Sequence, residues 1–347
     1  MTTEETPLGD TSASSAMTPE APLVTIDAIR AAAERLRGIV IRSPLVPFGP
    51  AADRRYLKAE SLQPIGAFKL RGAYSTIATL DAAERAAGVI TYSSGNHAQG
   101  VARAARLLGI HAVIVMPSDA PSVKRERVLA DGAEVVVVGT ASEERERVAK
   151  SMATERGLTV IPPYDDDRII AGQGTIGIEL VEDLPDLAVV LVPLGGGGLA
   201  SGVATAVKAL RPDVRVIGVE PELGADARES LERGVIVHWD AALVSRTIAD
   251  GTRSQAIGRR PFVHLRAFLD GVVTVSEAEI AAGVRLAAEQ SRLVAEPSGA
   301  LSVAAMVFRG REAGLLGVNG SVVAVVSGGN VDPDRYREYL AAPIPGA

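Results

Sequence analysis

A lysine in an apolar setting is the first residue of this sequence that could do covalent chemistry. Lys69 lies between Phe68 and Leu70, and the segment that contains it opens with Pro64 and Gly66. Loss of hydration lowers the pKa of a lysine amine, and a neutral amine is a nucleophile that adds to carbonyl groups. A lysine can also lay its stem on the surface and keep its ammonium group in water. The rest of the chain decides between these two interpretations.

Four consecutive glycines stand between an apolar run and a helix-like run: Gly195, Gly196, Gly197 and Gly198. Glycine lets a backbone approach an anion, and the start of a helix offers free N–H groups and positive dipole. The pattern predicts a phosphate-binding loop, with a tight structural turn as the alternative. A dinucleotide site is disfavoured because Ala200 stands where G-x-G-x-x-G has its last glycine, and because Glu220 comes late for the ribose-binding acid.

Two further turns carry polar groups that suit recognition of a small molecule. One of them joins a predicted strand to a predicted helix and consists of Ser93, Ser94, Gly95, Asn96 and His97. Its N–H groups could hold a carboxylate, and the amide of Asn96 could reach an oxygen by a hydrogen bond. The other turn, at 327–330, follows an apolar strand, and the hydroxyl of Ser327 could bind a ring nitrogen. Each turn alone is equally typical of ordinary strand-ending structure.

The composition excludes several classes of protein. The 347 residues are 47% hydrophobic and 22% charged, which permits a sizeable core in one large or two smaller domains. A net charge of −6 without a basic block argues against a nucleic-acid partner. The absence of cysteine excludes disulfides and thiolate sites, and four histidines without HExxH spacing disfavour a zinc hydrolase. Without an apolar run of about 18 residues or an export signal, we expect a cytoplasmic protein with no membrane partner.

Short apolar strands that alternate with amphipathic helices predict an α/β fold with parallel sheets. Residues 1–22 lack apolar periodicity and indicate a disordered tail. Thr25 has the position of a helix N-cap, and 39–46 is a strand candidate interrupted by Pro44. Three adjacent acids at 165–167 indicate a solvated loop rather than a cation site. Helices are predicted at 71–80, 98–108, 122–131, 142–156, 199–210, 225–233 and 277–291, and strands at 89–92, 112–116, 134–138, 158–161, 188–193, 214–220, 272–275 and 322–326.

Taken together and in order, these motifs resemble those of one enzyme family. The set is P-x-G-A-F-K-x-R-G around Lys69, S-S-G-N-H-A-Q-G from Ser93, the four glycines, and S-G-G-N from Ser327. The chain is similar to pyridoxal-phosphate enzymes of the tryptophan-synthase-β type (fold type II), within the threonine dehydratase and serine racemase branch. Further matches to this branch are A-G-Q-G-T at 171–175, T-I-A-D-G at 247–251 and A-E-P-S-G at 295–299. The resemblance covers residues 25–332.

The resemblance implies a fold of two open, twisted, mainly parallel sheets flanked by helices. It implies a large cofactor-binding domain made of 23–85 and 165–340, and a small domain at 86–164. It also implies a homodimer. The regulatory domain of the long biosynthetic members is not expected, since the chain ends shortly after Asn330.

The resemblance also assigns roles to the motif residues. Lys69 would hold the aldehyde of pyridoxal 5′-phosphate through its amine and would then act as the base at the substrate Cα. Phe68 would lie against the cofactor ring, and Asn96 would donate a hydrogen bond to the ring hydroxyl oxygen. Gly195–Gly198 would bind the 5′-phosphate, and Ser327 would face the pyridine nitrogen. A hydroxyl at this nitrogen makes a weaker electron sink, which favours loss of a β-hydroxyl group over transamination.

The segment from Glu220 to Asp226 resembles the divalent-cation loop of the racemase-like subgroup. The carboxylates of Glu220 and Asp226 and the carbonyl oxygen of Gly224 would bind Mg²⁺ or Ca²⁺, with water completing the oxygen shell. The alternative is two exposed acids at the start of a helix.

The activity implied is that of an ammonia-lyase, which eliminates water from L-threonine, L-serine or a related β-hydroxy amino acid and yields a 2-oxo acid and ammonia. The alternative is a serine racemase or a threo-3-hydroxyaspartate ammonia-lyase, with Ser94 as the second acid on the face opposite Lys69. A β-replacement enzyme is disfavoured because motifs for a second substrate are not evident. A catalytically inactive amino-acid sensor is disfavoured because Lys69, Asn96 and Ser327 are intact.

Overall fold

The computed structural model describes residues 22–93, 95–118, 120, 122–139 and 142–346. Ten β-strands lie within these residues: β1 Leu45–Pro47, β2 Arg55–Ala59, β3 Val89–Tyr92, β4 Ala112–Pro117, β5 Glu134–Val138, β6 Thr159–Val160, β7 Leu187–Pro193, β8 Arg215–Pro221, β9 Gly271–Val275 and β10 Ser321–Val326. The same part of the chain forms fourteen α-helices: α1 Ile26–Leu36, α2 Lys69–Ile77, α3 Ala82–Ala87, α4 Asn96–Leu108, α5 Ser122–Ala130, α6 Ser142–Arg156, α7 Asp167–Asp183, α8 Gly198–Leu210, α9 Asp226–Arg233, α10 Ala241–Val244, α11 Arg259–Phe268, α12 Glu277–Ser291, α13 Pro297–Phe308 and α14 Pro333–Leu340.

Six strands form the larger sheet, in the order β1-β2-β10-β7-β8-β9. Strand β1 runs antiparallel to β2, and every other neighbouring pair is parallel. Ala324 of β10 pairs with Leu57 of β2 on one side and with Leu191 of β7 on the other. Strand β10 therefore lies inside the sheet although it follows the other nine along the chain. All six of its residues are buried, as expected for a strand covered on both faces.

Helices cover both faces of the larger sheet, because successive side chains of a strand point to opposite sides. Val189 and Leu191 of β7 pack in a core that includes apolar residues of α12 and α13. Val190 and Val192 of the same strand pack in a second core with residues of α8 and α11. The near-continuous apolar run of β7 thus serves two cores at once.

The smaller sheet has the order β5-β4-β3-β6, and all of its pairs are parallel. Ile114 and Met116 of β4 pack in a core with residues of α2 and α4, whereas Val113 and Val115 pack with Ala149 of α6. The α/β fold with two mainly parallel sheets is therefore confirmed. All four strands of the smaller sheet lie between residues 89 and 160. The division into domains at 85/86 and 164/165 stays a prediction.

Helix and strand positions agree with the sequence patterns at most elements, with two corrections near the start of the chain. The strand predicted at 39–46 is wrong in extent: Gly38 takes φ +76°, and the amides of residues 39 and 40 close a turn onto the Leu36 carbonyl. The strand begins only after Pro44, which has no N–H group for a ladder. Helix α2 begins at Lys69, two residues earlier than predicted. Thr25 caps α1 as predicted, since its hydroxyl accepts from Ala28 N at 3.3 Å.

The predicted tail at 1–22 lies outside the described residues, apart from Pro22. No helix in the described part of the chain combines the length and the apolar character needed to cross a bilayer.

Candidate active site

The loop before Lys69 is hydrogen-bonded to the loop that follows β10. The amide of Phe68 donates to the Ser327 carbonyl at 3.0 Å, and Ala67 forms an isolated antiparallel bridge with Gly328. One step further out, Gly329 N donates to the Gly66 carbonyl at 2.9 Å. Two motifs that are far apart in the sequence are thereby fixed side by side at the carboxyl end of a central strand.

The side chain of Lys69 is held in a half-buried position. Its Nζ donates to the Pro163 carbonyl at 2.6 Å and lies 5.2 Å from the centroid of the Phe68 ring. Burial lowers the pKa of Lys69 to about 8, so the amine loses its proton more readily than an exposed lysine. Lys69 is thus a nucleophile that is readily available near neutral pH, as the apolar sequence around it suggested.

The serine-rich turn after β3 leads directly into α4, whose first residue is Asn96. Ser93 Oγ accepts from Gly95 N at 3.2 Å, while Ser94 lies outside the described residues. Helix α4 packs closely on the lysine helix, because a Cβ added at Gly100 would lie 3.2 Å from the backbone of Lys69. The amino end of α4 therefore lies near the amine, which suits the recognition of an anionic group.

His97 is buried and neutral beside the candidate site. Its Nε2 lies 3.0 Å from the Ile161 carbonyl oxygen, which can only accept, so Nε2 carries the hydrogen. Its Nδ1 is buried and has no hydrogen-bond partner. Burial and then the charge of Lys69 lower the pKa of His97 to about 3, although the Ile161 carbonyl favours the charged form.

The four glycines form a backbone cradle between β7 and α8. Gly197 takes φ +93° at the N-cap of α8, a conformation that favours glycine. A Cβ added at Gly196 would lie 2.3 Å from the ring of Tyr164, and one added at Gly195 would lie 2.9 Å from Thr252. A side chain at these positions would collide with neighbouring groups, and a glycine loop before the start of a helix is typical of phosphate binding.

Helix α7 packs against both α2, the helix of Lys69, and α8, the helix after the glycine loop, so closely that the backbones are in contact. A Cβ added at Gly172 of α7 would lie 2.6 Å from the Cα of Gly72, where α2 and α7 cross. A Cβ added at Gly202 of α8 would lie 2.3 Å from a carbonyl oxygen of α7. Because α2 begins with Lys69 and α8 with Gly198, α7 sets the spacing between amine and glycine loop.

Sequence reasoning did not predict α7, and the three acids at its start have more specific roles than a solvated loop. Asp166 caps the helix, since its carboxylate accepts from Arg168 N at 2.7 Å. Asp165 accepts from Arg260 N at 2.8 Å, and Asp167 forms an ion pair with the Arg260 guanidinium. Asp165 and Asp167 therefore join the start of α7 to Arg260, whereas Asp166 caps α7 and pairs with Arg168 of the same helix.

A buried ion network anchors α2 two residues after Lys69. Arg71 has no exposed side-chain surface, and its guanidinium lies 2.8 Å from Glu60 Oε1 and 2.6 Å from Glu179 Oε1. Lys58, also fully buried, lies 2.6 Å from Glu179 Oε2. Burial alone would raise the pKa of Glu60, but the charge and hydrogen bonds of Arg71 outweigh burial and leave that pKa lowered. The sequence motif contained Arg71 without indicating these partners.

Two residues that the sequence motifs contained but did not assign contact Asn96. Asn96 Nδ2 donates to Glu296 Oε1 at 2.5 Å, and Asn96 Oδ1 accepts from Asn330 Nδ2 at 2.8 Å. Burial, followed by the negative charge of Asp250, raises the pKa of Glu296 to about 8. The carboxyl group of Glu296 lies against Gly328, where an added Cβ would be 2.2 Å from Oε1. The only signal for Glu296 in the sequence was its place in A-E-P-S-G.

Glu220 and Asp226, the predicted cation ligands, are both fully buried. Glu220 at the end of β8 accepts from the first amides of α9, Ala227 N at 3.1 Å and Arg228 N at 2.8 Å. Neither carboxyl oxygen of Asp226 has a hydrogen-bond partner, and burial raises the pKa of Asp226 to about 7. The alternative of two exposed acids is therefore excluded, and the unpartnered oxygens of Asp226 fit a bound cation.

The predicted cation set contains only two acids, with the Gly224 carbonyl as its third ligand. Within the described residues, no group of three or more His, Asp or Glu side chains gathers as a metal cluster.

The sequence model of the family described as pyridoxal-phosphate dependent enzyme matches residues 36–328. The chain belongs to this family. Its relatives in the family include L-threo-3-hydroxyaspartate ammonia-lyase of Pseudomonas sp, which is 41% identical over 318 residues, 89% of this chain and 96% of that protein. Serine racemase of Schizosaccharomyces pombe is 39% identical over 92% of this chain and 98% of that protein. The crystal structure of a threonine deaminase from T.th. matches with a TM-score of 0.82 at 42% identity, over 89% of this chain and 99% of that one.

The local structure fits the cofactor of the pyridoxal-phosphate family. A Cβ at Gly195, Gly196 or Gly197 would collide with neighbouring groups, and the half-buried Lys69 amine belongs to a helix that packs on α7, as the glycine-loop helix does. Ser327 is buried beside the backbone of Phe68. The contact of each residue with a particular cofactor atom stays a prediction.

Proposed function

We propose that this chain is a pyridoxal-phosphate-dependent ammonia-lyase that eliminates water from L-threonine, L-serine or a related β-hydroxy amino acid. The products are a 2-oxo acid and ammonia. The observation that carries the proposal is the Lys69 amine, half-buried, with its pKa lowered to about 8, on the helix that packs against α4 and α7. The lyase and deaminase names among the relatives support the same reaction type.

In this proposal, Lys69 attaches the cofactor and then works as a base. When bound, pyridoxal phosphate supplies an electron sink for the electron pair of the substrate Cα–H bond. Lys69 Nζ takes the Cα proton, which is favourable near neutral pH because burial has lowered the pKa of the amine. The β-hydroxyl group then leaves with a proton as water, and hydrolysis of the released enamine gives the 2-oxo acid and ammonia.

The proposed substrate site is the amino end of α4. Ser93, Gly95, Asn96 and His97 lie there, and the free amides of a helix start favour a carboxylate. The neutral His97 does not repel the substrate ammonium group. Gly195–Gly198 would hold the cofactor phosphate, Phe68 would lie against its ring, and Ser327 would face its pyridine nitrogen.

The experiment that tests the proposal is a panel of β-hydroxy amino acids with detection of 2-oxo acids. We expect Lys69→Ala to abolish production of 2-oxo acid because both the attachment point and the Cα base are lost. The matched control is Lys150→Ala, since Lys150 is exposed and contacts only its helix neighbour Glu146 in its ion pair. A Lys69→Ala variant that turns over like the control would contradict the assignment.

A second candidate function is serine racemase or threo-3-hydroxyaspartate ammonia-lyase activity, which the named relatives favour. Racemisation needs an acid on the face of the substrate opposite Lys69, and Ser94 would be that acid. Inclusion of D-serine, L-serine and L-threo-3-hydroxyaspartate in the panel, with chiral analysis of unreacted substrate, separates these activities. Ser94→Ala should remove racemisation and leave elimination from L-substrates.

We also propose that Glu220, Asp226 and the Gly224 carbonyl bind Mg²⁺ or Ca²⁺. The two unpartnered oxygens of Asp226 support this proposal.

The proposal also includes a homodimer and a cytoplasmic location. Light scattering of the purified protein tests the homodimer. Fractionation of the source cells tests the location.

A further inference from the structure

A line of hydrogen-bonded side chains runs from the protein surface to Asn96 and ends on a buried carboxyl group. Exposed Arg127 of α5 donates from Nη1 to Asn330 Oδ1 at 2.6 Å. Asn330 Nδ2 donates to Asn96 Oδ1 at 2.8 Å, and Asn96 Nδ2 donates to Glu296 Oε1 at 2.5 Å. Glu296 is 3% exposed, so the line leads from solvent into the core.

The orientation of both amides in this line is fixed by neighbouring groups that can only donate or only accept a hydrogen bond. A guanidinium can only donate, so the atom of Asn330 that faces Arg127 is its oxygen. The Ile65 carbonyl can only accept, so the atom of Asn330 that lies 2.8 Å away is its nitrogen. The same nitrogen donates to Asn96, which therefore turns its oxygen to Asn330 and its nitrogen to Glu296. Asn96 Nδ2 uses one hydrogen on Glu296 and keeps a second.

The space around Glu296 is shaped for a carboxyl group in this position. A Cβ added at Gly328 would lie 2.2 Å from Glu296 Oε1 and 3.1 Å from Asn96 Nδ2. The backbone of Glu296 is also fixed to this turn, since its amide donates to the Gly328 carbonyl at 3.0 Å. The carboxyl group therefore lies between Asn96 and the turn that begins at Ser327, and both of these residues are predicted to contact the cofactor ring.

We propose that Asn330 and Glu296 are positioning residues that hold the amide of Asn96 with its second N–H group toward the ring hydroxyl oxygen of bound pyridoxal phosphate. The inference rests on the proposed function, because it takes Asn96 as the cofactor contact. Without the Asn330 donor or the Glu296 acceptor, the amide of Asn96 loses a contact that distinguishes its two ends, and the inverted amide sets an oxygen against the ring hydroxyl oxygen in place of the N–H group. The affinity for the cofactor then falls by about tenfold, the size expected for one hydrogen bond.

The test is the dissociation constant of the full-length apoprotein for pyridoxal phosphate, measured by fluorescence titration, together with the absorbance of the bound cofactor. Asn330→Asp keeps an oxygen for Arg127 but cannot donate to Asn96, and we expect it to weaken binding about tenfold. Glu296→Leu should weaken binding to a similar extent. Glu296→Gln keeps an acceptor for Asn96 and should stay within about twofold of the wild type.

The matched control is Asn319→Asp, which makes the same chemical change beside another arginine. Asn319 Oδ1 accepts from Arg54 Nη2 at 3.0 Å just before β10, at the opposite end of that strand from Ser327. Its dissociation constant should equal that of the wild type. The melting temperature of each apoprotein reports folding, and if Asn330→Asp does not fold, the contrast between Glu296→Leu and Glu296→Gln decides the question.

A double-mutant cycle separates this inference from the proposed function. In an Asn96→Ala background, Asn330→Asp should have no further effect on cofactor affinity, because the amide to be positioned is gone. Equal weakening by Asn330→Asp in both backgrounds, or an unchanged dissociation constant in the wild-type background, overturns the positioning role. If Asn96→Ala alone leaves the affinity and the absorbance unchanged, Asn96 does not contact the cofactor, and that part of the proposed function fails instead.

Discussion

Lys69 and His97 are two basic side chains of the candidate site whose pKa values are lowered by burial. The pKa of Lys69 stays near 8, so its amine exchanges a proton at neutral pH, whereas that of His97 falls so far that the ring stays neutral. A neutral ring next to an amine avoids repulsion between two cations. Lys69 can therefore take up or release a proton near neutral pH, whereas the protonation state of His97 does not change there.

The lowered pKa of His97 predicts a loss of stability at mildly acidic pH. The unfolded chain protonates this histidine below about pH 6.5, whereas the folded protein keeps it neutral down to about 3. Its contribution is therefore complete above pH 6.5 and is lost as the pH falls toward 3. The loss of unfolding free energy should reach about 2 kcal/mol at pH 5. Urea unfolding of the protein at pH 7, 6 and 5 measures it.

The comparison that isolates His97 uses two glutamine variants. His97→Gln should flatten the pH dependence between 7 and 5, whatever its effect on absolute stability. His111→Gln should leave the dependence as in the wild type, since the His111 side chain is 47% exposed. An unaltered slope in His97→Gln would show that other groups cause the acid sensitivity.

The sequence predicted the residue types of the site better than their partners. Lys69, Asn96 and Ser327 could be singled out because each lies in a short motif whose local chemistry is legible. The contact of Glu296 with Asn96 joins residues 200 positions apart, and no local pattern contains such a pair. The same holds for Arg71, whose motif predicts a charge but not its burial between two carboxylates.

Among the elements, α7 has the most demanding position, because it contacts α2 on one side and α8 on the other through glycines. Those glycines also explain why the helix could not be predicted. Gly172, Gly174 and Gly177 lower helix propensity by up to about 1 kcal/mol each, so the local sequence disfavours the structure that packing requires. The strands from β3 to β10 were predicted within one residue, since nothing in their packing opposes their propensity, whereas β1 was placed too early and β2 was not predicted.

The close crossing of α2 and α7 predicts that a single methyl group is damaging there. Gly172→Ala would bring a Cβ within 2.6 Å of Gly72, and neither backbone can yield without moving its helix. We expect a loss of about 1–3 kcal/mol of unfolding free energy and a fall in kcat/KM, because α2 carries Lys69. Thermal melting and the 2-oxo-acid assay measure the two effects.

Gly271→Ala is the control for that change. A Cβ at Gly271 would meet only Ile217, at 3.8 Å, which is an ordinary contact. This variant should melt and turn over like the wild type. If Gly172→Ala behaves as the control does, α7 does not fix the position of α2.

For the whole molecule, the proposed cation site predicts that stability depends on divalent ions. Glu220 and Asp226 connect the end of β8 to the start of α9, so a cation bound there stabilises the native state by mass action. Excess EDTA should lower the melting temperature, and Mg²⁺ or Ca²⁺ should restore it. At a free ion concentration about 100 times the dissociation constant, the expected stabilisation is about 2.7 kcal/mol.

Asp226→Asn is the variant that tests whether this site is responsible. It keeps the shape of the side chain but lacks the charge, and its melting temperature should respond little to EDTA. A wild-type protein that neither contains a metal by elemental analysis nor melts earlier in chelator would refute the site.

The central place of β10 has a consequence for how the protein is made. Strands β2 and β7 leave the ribosome well before β10, and until it arrives their facing edges have no partner. The loop before Lys69 likewise waits for Ser327 and Gly328, to which it is bonded in the finished fold. A nascent chain therefore has its lysine and its glycine loop before it has the turn that begins at Ser327. The contacts of that turn can form only after β10 has been made, and until then the unpaired edges of β2 and β7 are open to pairing with other chains.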